Sequence, residues 1–180
     1  MYLEGIGRKV FPVAKDGQCM FSSLSHQLFG LPNRSYDVRS LLVRFESNNQ
    51  QKFSPFLMEI NSPDMHSHIQ EMLHPKKWGT HVELLAAATY FQIPVYFLKS
   101  PSSRFKWEVL HPLGSASSFR WYQLCPEVDS YAEDISVPDH FEVLLSSECH
   151  YDSIICFSGG VCTTRPNITY SHFHNDSIIE

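Results

Sequence analysis

Four consecutive residues near the N-terminus, Asp16-Gly17-Gln18-Cys19, combine a turn with a possible nucleophile. Asp-Gly is a turn pair, and Cys19 begins a segment in which the apolar residues have helical spacing. The amide groups and the dipole at a helix N-terminus favour an anion, so a Cys19 thiolate should form more easily than an ordinary one. A small buried packing residue would satisfy the same pattern. The pattern therefore makes Cys19 a candidate nucleophile and leaves the packing role open.

A thiol nucleophile needs a base, and His150 has the most suitable neighbours among the ten histidines. It lies in Cys149-His150-Tyr151-Asp152, at the start of a strand-like segment. Because side chains alternate along a strand, His150 and Asp152 should project from the same face. Asp152 would then bind one imidazole nitrogen and leave the other free to take the thiol proton. The alternative is a surface histidine at a strand end, which is the interpretation given to His26, His81 and His140.

The first half of the chain has the apolar spacing of four amphipathic helices, in segments 20–29, 35–48, 62–73 and 80–91. Ser35 is predicted to be the N-cap of the second helix. Ser62-Pro63 is predicted to begin the third, with proline in its first turn. Thr80 and Glu83 have the spacing of a capping box, in which each side chain binds the other residue's amide at the start of the fourth helix.

From Pro94 onward the apolar period changes to two, which is typical of strands. The strand-like segments are 95–98, 107–110, 120–124, 141–145 and 151–157. Helices followed by strands predict an α/β (α+β) fold, with one mixed β-sheet flanked by helices in a single domain. The domain is expected to span residues 6–157, and the polar segment 158–180 is expected to be a C-terminal tail.

Composition limits the function classes. The 180 residues, 43% of them hydrophobic, suffice for one sizeable core. Fourteen Lys and Arg against nineteen Asp and Glu give a net charge of -5, which argues against nucleic-acid binding and suits a basic protein substrate. No apolar run is long enough to cross a bilayer and no secretory signal pattern is present, so we expect no membrane association and a cytoplasmic location. The five irregularly spaced cysteines are expected to be reduced.

Three separated motifs resemble those of the OTU (ovarian tumour) family of deubiquitinating cysteine proteases. Residues 16–21, Asp-Gly-Gln-Cys-Met-Phe, resemble the D-G-x-C-x-F nucleophile motif. Residues 78–84, Trp-Gly-Thr-His-Val-Glu-Leu, resemble the central W-G-x-x-x-E-L segment, and residues 150–154, His-Tyr-Asp-Ser-Ile, resemble the H-Y-[DN]-x-[VI] block. The order and separation of the motifs fit as well, so the resemblance covers the chain from about Val10 to Phe157.

The resemblance implies a role for each matching residue. Cys19 would be the nucleophile, His150 the general base, and Asp152 the residue that orients the imidazole. Asp16 is a second candidate for the acidic member. Asp16, Gly17, Gln18 and Cys19 would form the oxyanion loop, in which Gly17 allows close approach of the backbone and amides stabilise the developing charge. Gln18 would add a further donor. Trp78 would cover the histidine or belong to the core, and we favour the core.

The resemblance implies that the chain would be a deubiquitinase that hydrolyses the bond after the C-terminal glycine of ubiquitin through a thioester, without a cofactor or metal. Its partner would be ubiquitin or polyubiquitin chains, whose basic C-terminal stretch would suit acidic residues such as Asp139 and Glu142. The alternatives are a protease for another ubiquitin-like modifier, a papain-like peptidase and an inactive ubiquitin-binding module. Zinc binding is not favoured, because the suitable ligands lack a recognised zinc spacing: Cys149, Cys156, Cys162, His172 and His174.

Overall fold

The computed structural model describes residues 2–99, 106–114, 138–145, 150–159 and 163–166. The predicted strand at 120–124 and most of the predicted tail lie outside these residues, as do Cys149, Cys162, His172 and His174. The boundaries 6–157 and 158–180 stay a prediction. Contacts extend beyond both of them, because Leu3 is buried in an apolar cluster and the Thr164 carbonyl accepts a hydrogen bond from Arg8.

The described residues form six α-helices and two short 3-10 helices. The α-helices are α1 (Tyr2–Gly5), α2 (Cys19–Phe29), α3 (Ser35–Asn48), α4 (Gln50–Phe53), α5 (Met65–Met72) and α6 (His81–Phe91), and the 3-10 helices are Pro32–Arg34 and Ser54–Ile60. All four predicted helices are present. α1, α4 and the 3-10 helices were not predicted, since segments of three to seven residues show too little periodicity.

The helix ends agree with the sequence at α2 and α6 and differ at α3 and α5. Gly30 ends α2 with a φ of 73°, in the left-handed conformation that glycine tolerates. Thr80 and Glu83 form the predicted capping box of α6. Ser35 is inside α3 rather than at its N-cap, which is Arg34. Asp64, not Ser62, is the N-cap of α5, because its carboxylate accepts from the Ser67 amide at 2.8 Å.

The described strands form one mixed sheet of five strands, against which the helices pack, as the sequence predicts. The strands are β1 (Arg8–Phe11), β2 (Val95–Lys99), β3 (Lys106–Leu110), β4 (Phe141–Leu145) and β5 (Tyr151–Cys156), in the spatial order β1-β5-β4-β2-β3. Among the strands in the described part of the chain, only β2 and β4 are parallel. β1 was not predicted, and it pairs with β5 in the register Phe11 opposite Ser153. The segment that leads to the Asp16 turn therefore starts beside the strand that follows His150.

The core lies between the sheet and the helices. α6 is buried over most of its length, from Val82 to Tyr90, as its apolar composition on all sides requires. α2 is buried over almost its whole length, from Cys19 to Leu28 except His26, and packs against α3 and β5, where the Ser23 hydroxyl donates to the Tyr151 carbonyl. These contacts place the start of α2 beside the start of β5.

Two further expectations are addressed by the structure. Cys156, at the end of β5, is disulfide-bonded, so the prediction of five reduced thiols is wrong at this position. The disulfide also removes Cys156 from the set of disfavoured zinc ligands.

Across the part of the chain that the structure describes, no helix has both the length and the apolar character needed to cross a membrane.

Candidate active site

Cys19 is the first residue of α2, and its side chain is 1% exposed. The turn before it is closed by Asp16, whose Oδ1 accepts a hydrogen bond from the Gln18 amide at 2.9 Å. Gln18 occupies the N-cap position without a side-chain cap. The Asp-Gly turn therefore places Cys19 at the N-terminus of α2, as the sequence predicts.

The sulfur of Cys19 contacts the backbone immediately after His150. The Tyr151 amide donates to Sγ at 3.5 Å. Burial raises the pKa of the Cys19 thiol, the amides of Tyr151 and Met20 lower it, and the charges of Asp16 and Asp152 raise it further. Burial outweighs the amide groups, so the expectation that the helix start eases thiolate formation is not met. Ionisation of this thiol requires a group that takes its proton.

His150 and Asp152 are hydrogen-bonded as their alternation along β5 predicts. The Nε2 of His150 lies 3.0 Å from Oδ1 of Asp152, and the same oxygen accepts from the Val13 amide at 3.0 Å. Both residues are buried. The Nδ1 of His150 is also buried, and no atom of the described residues forms a hydrogen bond with it. With the proton on Nε2, this arrangement leaves Nδ1 as a proton acceptor.

Trp78 is half-buried and combines the two roles considered for it. It packs against the main apolar cluster, and its ring meets the ring of His150 edge to face, with centroids 6.5 Å apart. An apolar wall beside the imidazole excludes water from it. The next residue, Gly79, faces α2 so closely that a Cβ there would lie 2.7 Å from the Met20 sulfur. The Trp-Gly pair is thus adjacent to α2, which begins at Cys19.

The side chain of Gln18 does not provide the extra donor that the sequence suggested. Gln18 is 3% exposed. Its side-chain Nε2 donates to the Pro75 carbonyl at 2.8 Å, and its Oε1 accepts from Arg39 Nε at 2.9 Å. Arg39 was not predicted as a site residue. The only signal for Arg39 in the sequence was its position in the predicted helix. It is a charged residue at helical spacing from apolar residues, three before Leu42.

Asp139 and Glu142, the two acidic residues suggested to suit a basic substrate, differ in exposure. Asp139 is exposed. Glu142 is fully buried, where Arg8 donates to its two oxygens at 2.6 and 2.7 Å and His140 Nε2 lies 2.7 Å from Oε1. Glu142 therefore cannot meet a substrate, and His140, which was interpreted as a surface residue, belongs to this buried network.

A second buried cluster joins α3, α5 and α6. His68 Nε2 lies 2.7 Å from Glu83 Oε1 and 3.5 Å from Glu46 Oε2. Burial raises the pKa of Glu46 to about 8, and nearby Glu83 adds to the effect. Burial lowers the pKa of His68, but its hydrogen bonds to Glu46 and Glu83 outweigh this and raise it to about 9. The cluster therefore retains protons at neutral pH.

These three side chains are the group of described residues with metal-ligand chemistry, since one ligand atom from each lies within 4.8 Å of the others. Two ligands of one tetrahedral zinc ion, at bond lengths of about 2.0–2.1 Å, are roughly 3.4 Å apart. The 2.7 Å separation of His68 Nε2 and Glu83 Oε1 is a hydrogen bond instead. As arranged, the cluster fits shared protons rather than an ion.

The sequence of the chain matches a known family of proteases. The family model for OTU-like cysteine proteases matches residues 14–125, more than half of the chain. The mouse OTU domain-containing protein 4 is 25% identical over 101 residues, which are 56% of this chain and 9% of that protein. The ubiquitin thioesterase otu2 of Schizosaccharomyces pombe is 27% identical over 100 residues, 52% of this chain and 33% of that protein. The chain thus matches a minor part of each relative's length.

Solved structures share the fold. The OTU domain of OTUD1 superimposes with a TM-score of 0.63 at 19% identity, covering 86% of this chain and 89% of that one. An OTU domain in complex with ubiquitin gives a TM-score of 0.58 at 17% identity, covering 86% and 73%. The fold is therefore that of OTU domains, and the chain belongs to the OTU-like cysteine protease family.

Proposed function

We propose that this chain is a deubiquitinase in which Cys19 is the nucleophile, His150 the general base and Asp152 the orienting acid. The observation that supports the proposal most is the state of the His150 ring. Asp152 binds its Nε2, the described residues leave its Nδ1 without a partner, and the following amide donates to the Cys19 sulfur. The ring thus has one nitrogen bound and one without a partner among the described residues, and the residue after it contacts a thiol whose pKa burial raises.

The reaction begins when His150 Nδ1 takes the Cys19 proton and the thiolate attacks the carbonyl carbon of ubiquitin's terminal glycine. The bond to the substrate lysine breaks, and His150 returns the proton to the departing amine. Water then attacks the thioester, again losing its proton to His150, and the sulfur leaves as the thiol. Asp152 stabilises the charged imidazole throughout, because one of its oxygens accepts a hydrogen bond from Nε2–H.

Asp16 has a different role in this proposal. Its Oδ1 is bound to the Gln18 amide, so it shapes the loop before the nucleophile and Asp152 orients the ring. The backbone amide of Gln18 already donates to Asp16. The oxyanion is therefore stabilised by other backbone amides of the Asp16–Cys19 loop and of the helix start. The similarity to the ubiquitin thioesterase otu2 and to an OTU domain in complex with ubiquitin supports ubiquitin as the modifier.

The test is incubation with full-length ubiquitin that carries a C-terminal electrophile, with the products read by intact mass. The variants are Cys19→Ala, His150→Ala and, as a matched control, His66→Ala, which alters an exposed histidine of α5. We expect one adduct on the wild type and on His66→Ala, none on Cys19→Ala, and strongly slowed labelling of His150→Ala.

The same reaction with probes for other ubiquitin-like modifiers separates the substrate classes. Labelling by another modifier and not by ubiquitin would overturn the ubiquitin assignment and keep the thiol chemistry. A Cys19 that no modifier probe labels, while a small alkylating reagent still does, would favour a papain-like peptidase. A wild type in which Cys19 reacts with neither would favour the inactive ubiquitin-binding module.

A further inference from the structure

We propose that Arg39, on α3, is a positioning residue that fixes the oxyanion loop and the Trp78 segment relative to each other. The proposal rests on the proposed function, because it assigns Arg39 to the same reaction. Arg39 is 3% exposed, and its guanidinium lies beneath the loop that precedes Cys19. It lies in none of the three motifs that predicted the site.

The guanidinium makes four hydrogen bonds that join separate segments. Nε donates to Gln18 Oε1 at 2.9 Å, and Nη2 donates to the Gly17 carbonyl at 2.7 Å. Nη2 also donates to the Lys77 carbonyl at 2.7 Å, and Nη1 donates to the Met72 carbonyl in the last turn of α5 at 2.9 Å. The planar, rigid arrangement of these donors is specific to arginine.

A fifth contact fixes the plane of the guanidinium. Its central carbon lies 4.1 Å from the centroid of the Phe21 ring, in the first turn of the nucleophile helix. Stacking on an aromatic face and hydrogen bonding in the guanidinium plane are complementary uses of one side chain. Arg39 therefore contacts the nucleophile helix through Phe21 and the loop before it through Gly17 and Gln18.

Arg39 and Asp16 bind opposite sides of one peptide unit. The Gly17 carbonyl accepts from Arg39, and the Gln18 amide of the same peptide donates to Asp16 Oδ1 at 2.9 Å. Because a peptide unit is planar, two bonds on its opposite sides determine its orientation. That peptide precedes the Gln18–Cys19 peptide, so its orientation sets where the loop amides point during the reaction.

The bond to the Lys77 carbonyl extends the contacts of Arg39 to the segment before Trp78. Lys77 precedes Trp78, whose ring packs edge to face against His150. One buried side chain thus connects the backbone before the nucleophile with the residue beside the base. Loss of its hydrogen bonds should displace the loop that carries the oxyanion donors, while the His150–Asp152 hydrogen bond and the contact of the Tyr151 amide with the Cys19 sulfur remain, because Arg39 bonds to none of these residues.

The test uses Arg39→Lys, which keeps the positive charge and loses the planar set of donors. For hydrolysis of a ubiquitin C-terminal substrate, we expect kcat to fall about 100-fold, the loss typical of one misplaced oxyanion donor, with KM changed less than about threefold. Alkylation of Cys19 by iodoacetamide needs no oxyanion donor, so its rate and its pH dependence should match those of the wild type.

Arg34→Lys is the matched control, because Arg34 lies just before α3, stacks on Phe29 and pairs with Asp37 away from the site. It should leave kcat unchanged. If Arg39→Lys does not fold, Gln18→Met is the milder variant. It removes the acceptor of Nε and the donor to the Pro75 carbonyl but leaves the bonds of Arg39 to Gly17, Lys77 and Met72, and its kcat should fall roughly tenfold, part of the loss expected for a whole donor.

Hydrogen exchange measured by mass spectrometry tests the positioning independently of the substrate. We expect faster exchange in Arg39→Lys at residues 16–19 and 75–78, and unchanged exchange in β2 and β4. Unchanged exchange at both segments, or a folded variant with wild-type kcat, would overturn the proposal. So would a parallel change in KM and alkylation rate, since that would indicate a general loosening. A wild type that does not hydrolyse ubiquitin would instead refute the proposed function, and the exchange result would still decide the role of Arg39.

Discussion

Gly17 faces the backbone of Lys76 so closely that a Cβ at Gly17 would lie 2.5 Å from the Lys76 carbonyl oxygen and 2.7 Å from its carbon. Gly17 also has a φ of 87°, which L-residues with a side chain rarely adopt. The turn before Cys19 and the segment before Trp78 are therefore packed backbone to backbone. This contact is possible only at a residue that has no side chain.

Gly17→Ala should consequently lose both stability and reactivity with the ubiquitin probe. Gly30→Ala, at the other end of α2, is the control, because Gly30 has a φ of 73° and open space around its Cα. Each variant should lose about 1 kcal/mol of unfolding free energy from backbone strain alone, and Gly17→Ala should lose more because of the clash. Urea unfolding and probe labelling measure both effects. Equal stability losses and equal labelling would show that the contact with Lys76 is unimportant.

The two acidic residues should differ sharply when each is changed to asparagine. In Asp152→Asn the amide can offer a donor to His150 Nε2, which favours the wrong tautomer, so we expect kcat to fall by about 1,000-fold or more. In Asp16→Asn the side-chain oxygen can still accept from the Gln18 amide, and we expect a loss of about tenfold or less by comparison with a lost donor. Steady-state hydrolysis of a ubiquitin substrate measures both. The opposite ranking would assign the orienting role to Asp16.

The reactivity of Cys19 towards iodoacetamide should depend on His150 in a pH-specific way. Burial raises the pKa of this thiol, so in His150→Ala the alkylation rate should keep rising at pH values where an ordinary thiol is already ionised. In the wild type the rate should be substantial at lower pH, because the imidazole takes the proton. Rates read by intact mass, with Cys19→Ala to subtract other cysteines, give the comparison. Identical pH profiles would mean that His150 is not the base.

Stability should fall as the pH rises from mildly acidic to alkaline values, because Glu46 and His68 bind protons more tightly in the folded state. The pKa of Glu46 rises from 4.5 to about 8 and that of His68 from 6.5 to about 9. A raised pKa gives stability that is fully present below the unfolded value and lost as the pH passes the folded one. The sign is the same for both groups, so their combined effect decreases between the ordinary pKa of Glu46 and the raised pKa of His68.

Urea unfolding at a series of pH values checks this expectation, with Glu46→Gln as the comparison. The glutamine keeps the shape of a protonated Glu46 and cannot ionise, so the variant should lose less stability than the wild type as the pH rises. At the acidic end of the series the two proteins should be similar. A wild type whose stability is constant from pH 5 to 9 would contradict the proton-sharing interpretation of the cluster.

The local part of the site could be predicted because it depends on residues close in sequence. The Asp16-Gly17 turn, the helix start at Cys19 and the pairing of His150 with Asp152 follow from turn chemistry and strand alternation. The capping box of Thr80 and Glu83 is equally local, since both partners lie within one helical turn. The order of helices followed by strands was sufficient for the mixed sheet as well.

The missed features join residues far apart in sequence. Glu142 has the pattern of an exposed strand acid, but Arg8 meets it across the sheet and buries both. Glu83 was predicted as a cap and also binds His68, 15 residues away. Local secondary-structure propensity carries no information on which distant residue a side chain will contact. The burial of Glu142 and the contact of Glu83 with His68 could therefore not be predicted from the local pattern.

By itself the sequence determined the turn before Cys19, the pairing of His150 with Asp152, and the family to which the motifs belong, because each motif acts within a few residues. Only the tertiary structure decided how these pieces are oriented and protonated. Packing buries Cys19 and raises its pKa, directs Gln18 inward, and brings Arg39 of α3 against the Gly17 carbonyl. The physical reason is that desolvation and hydrogen bonding depend on what surrounds a group in space, and chain folding alone sets those surroundings.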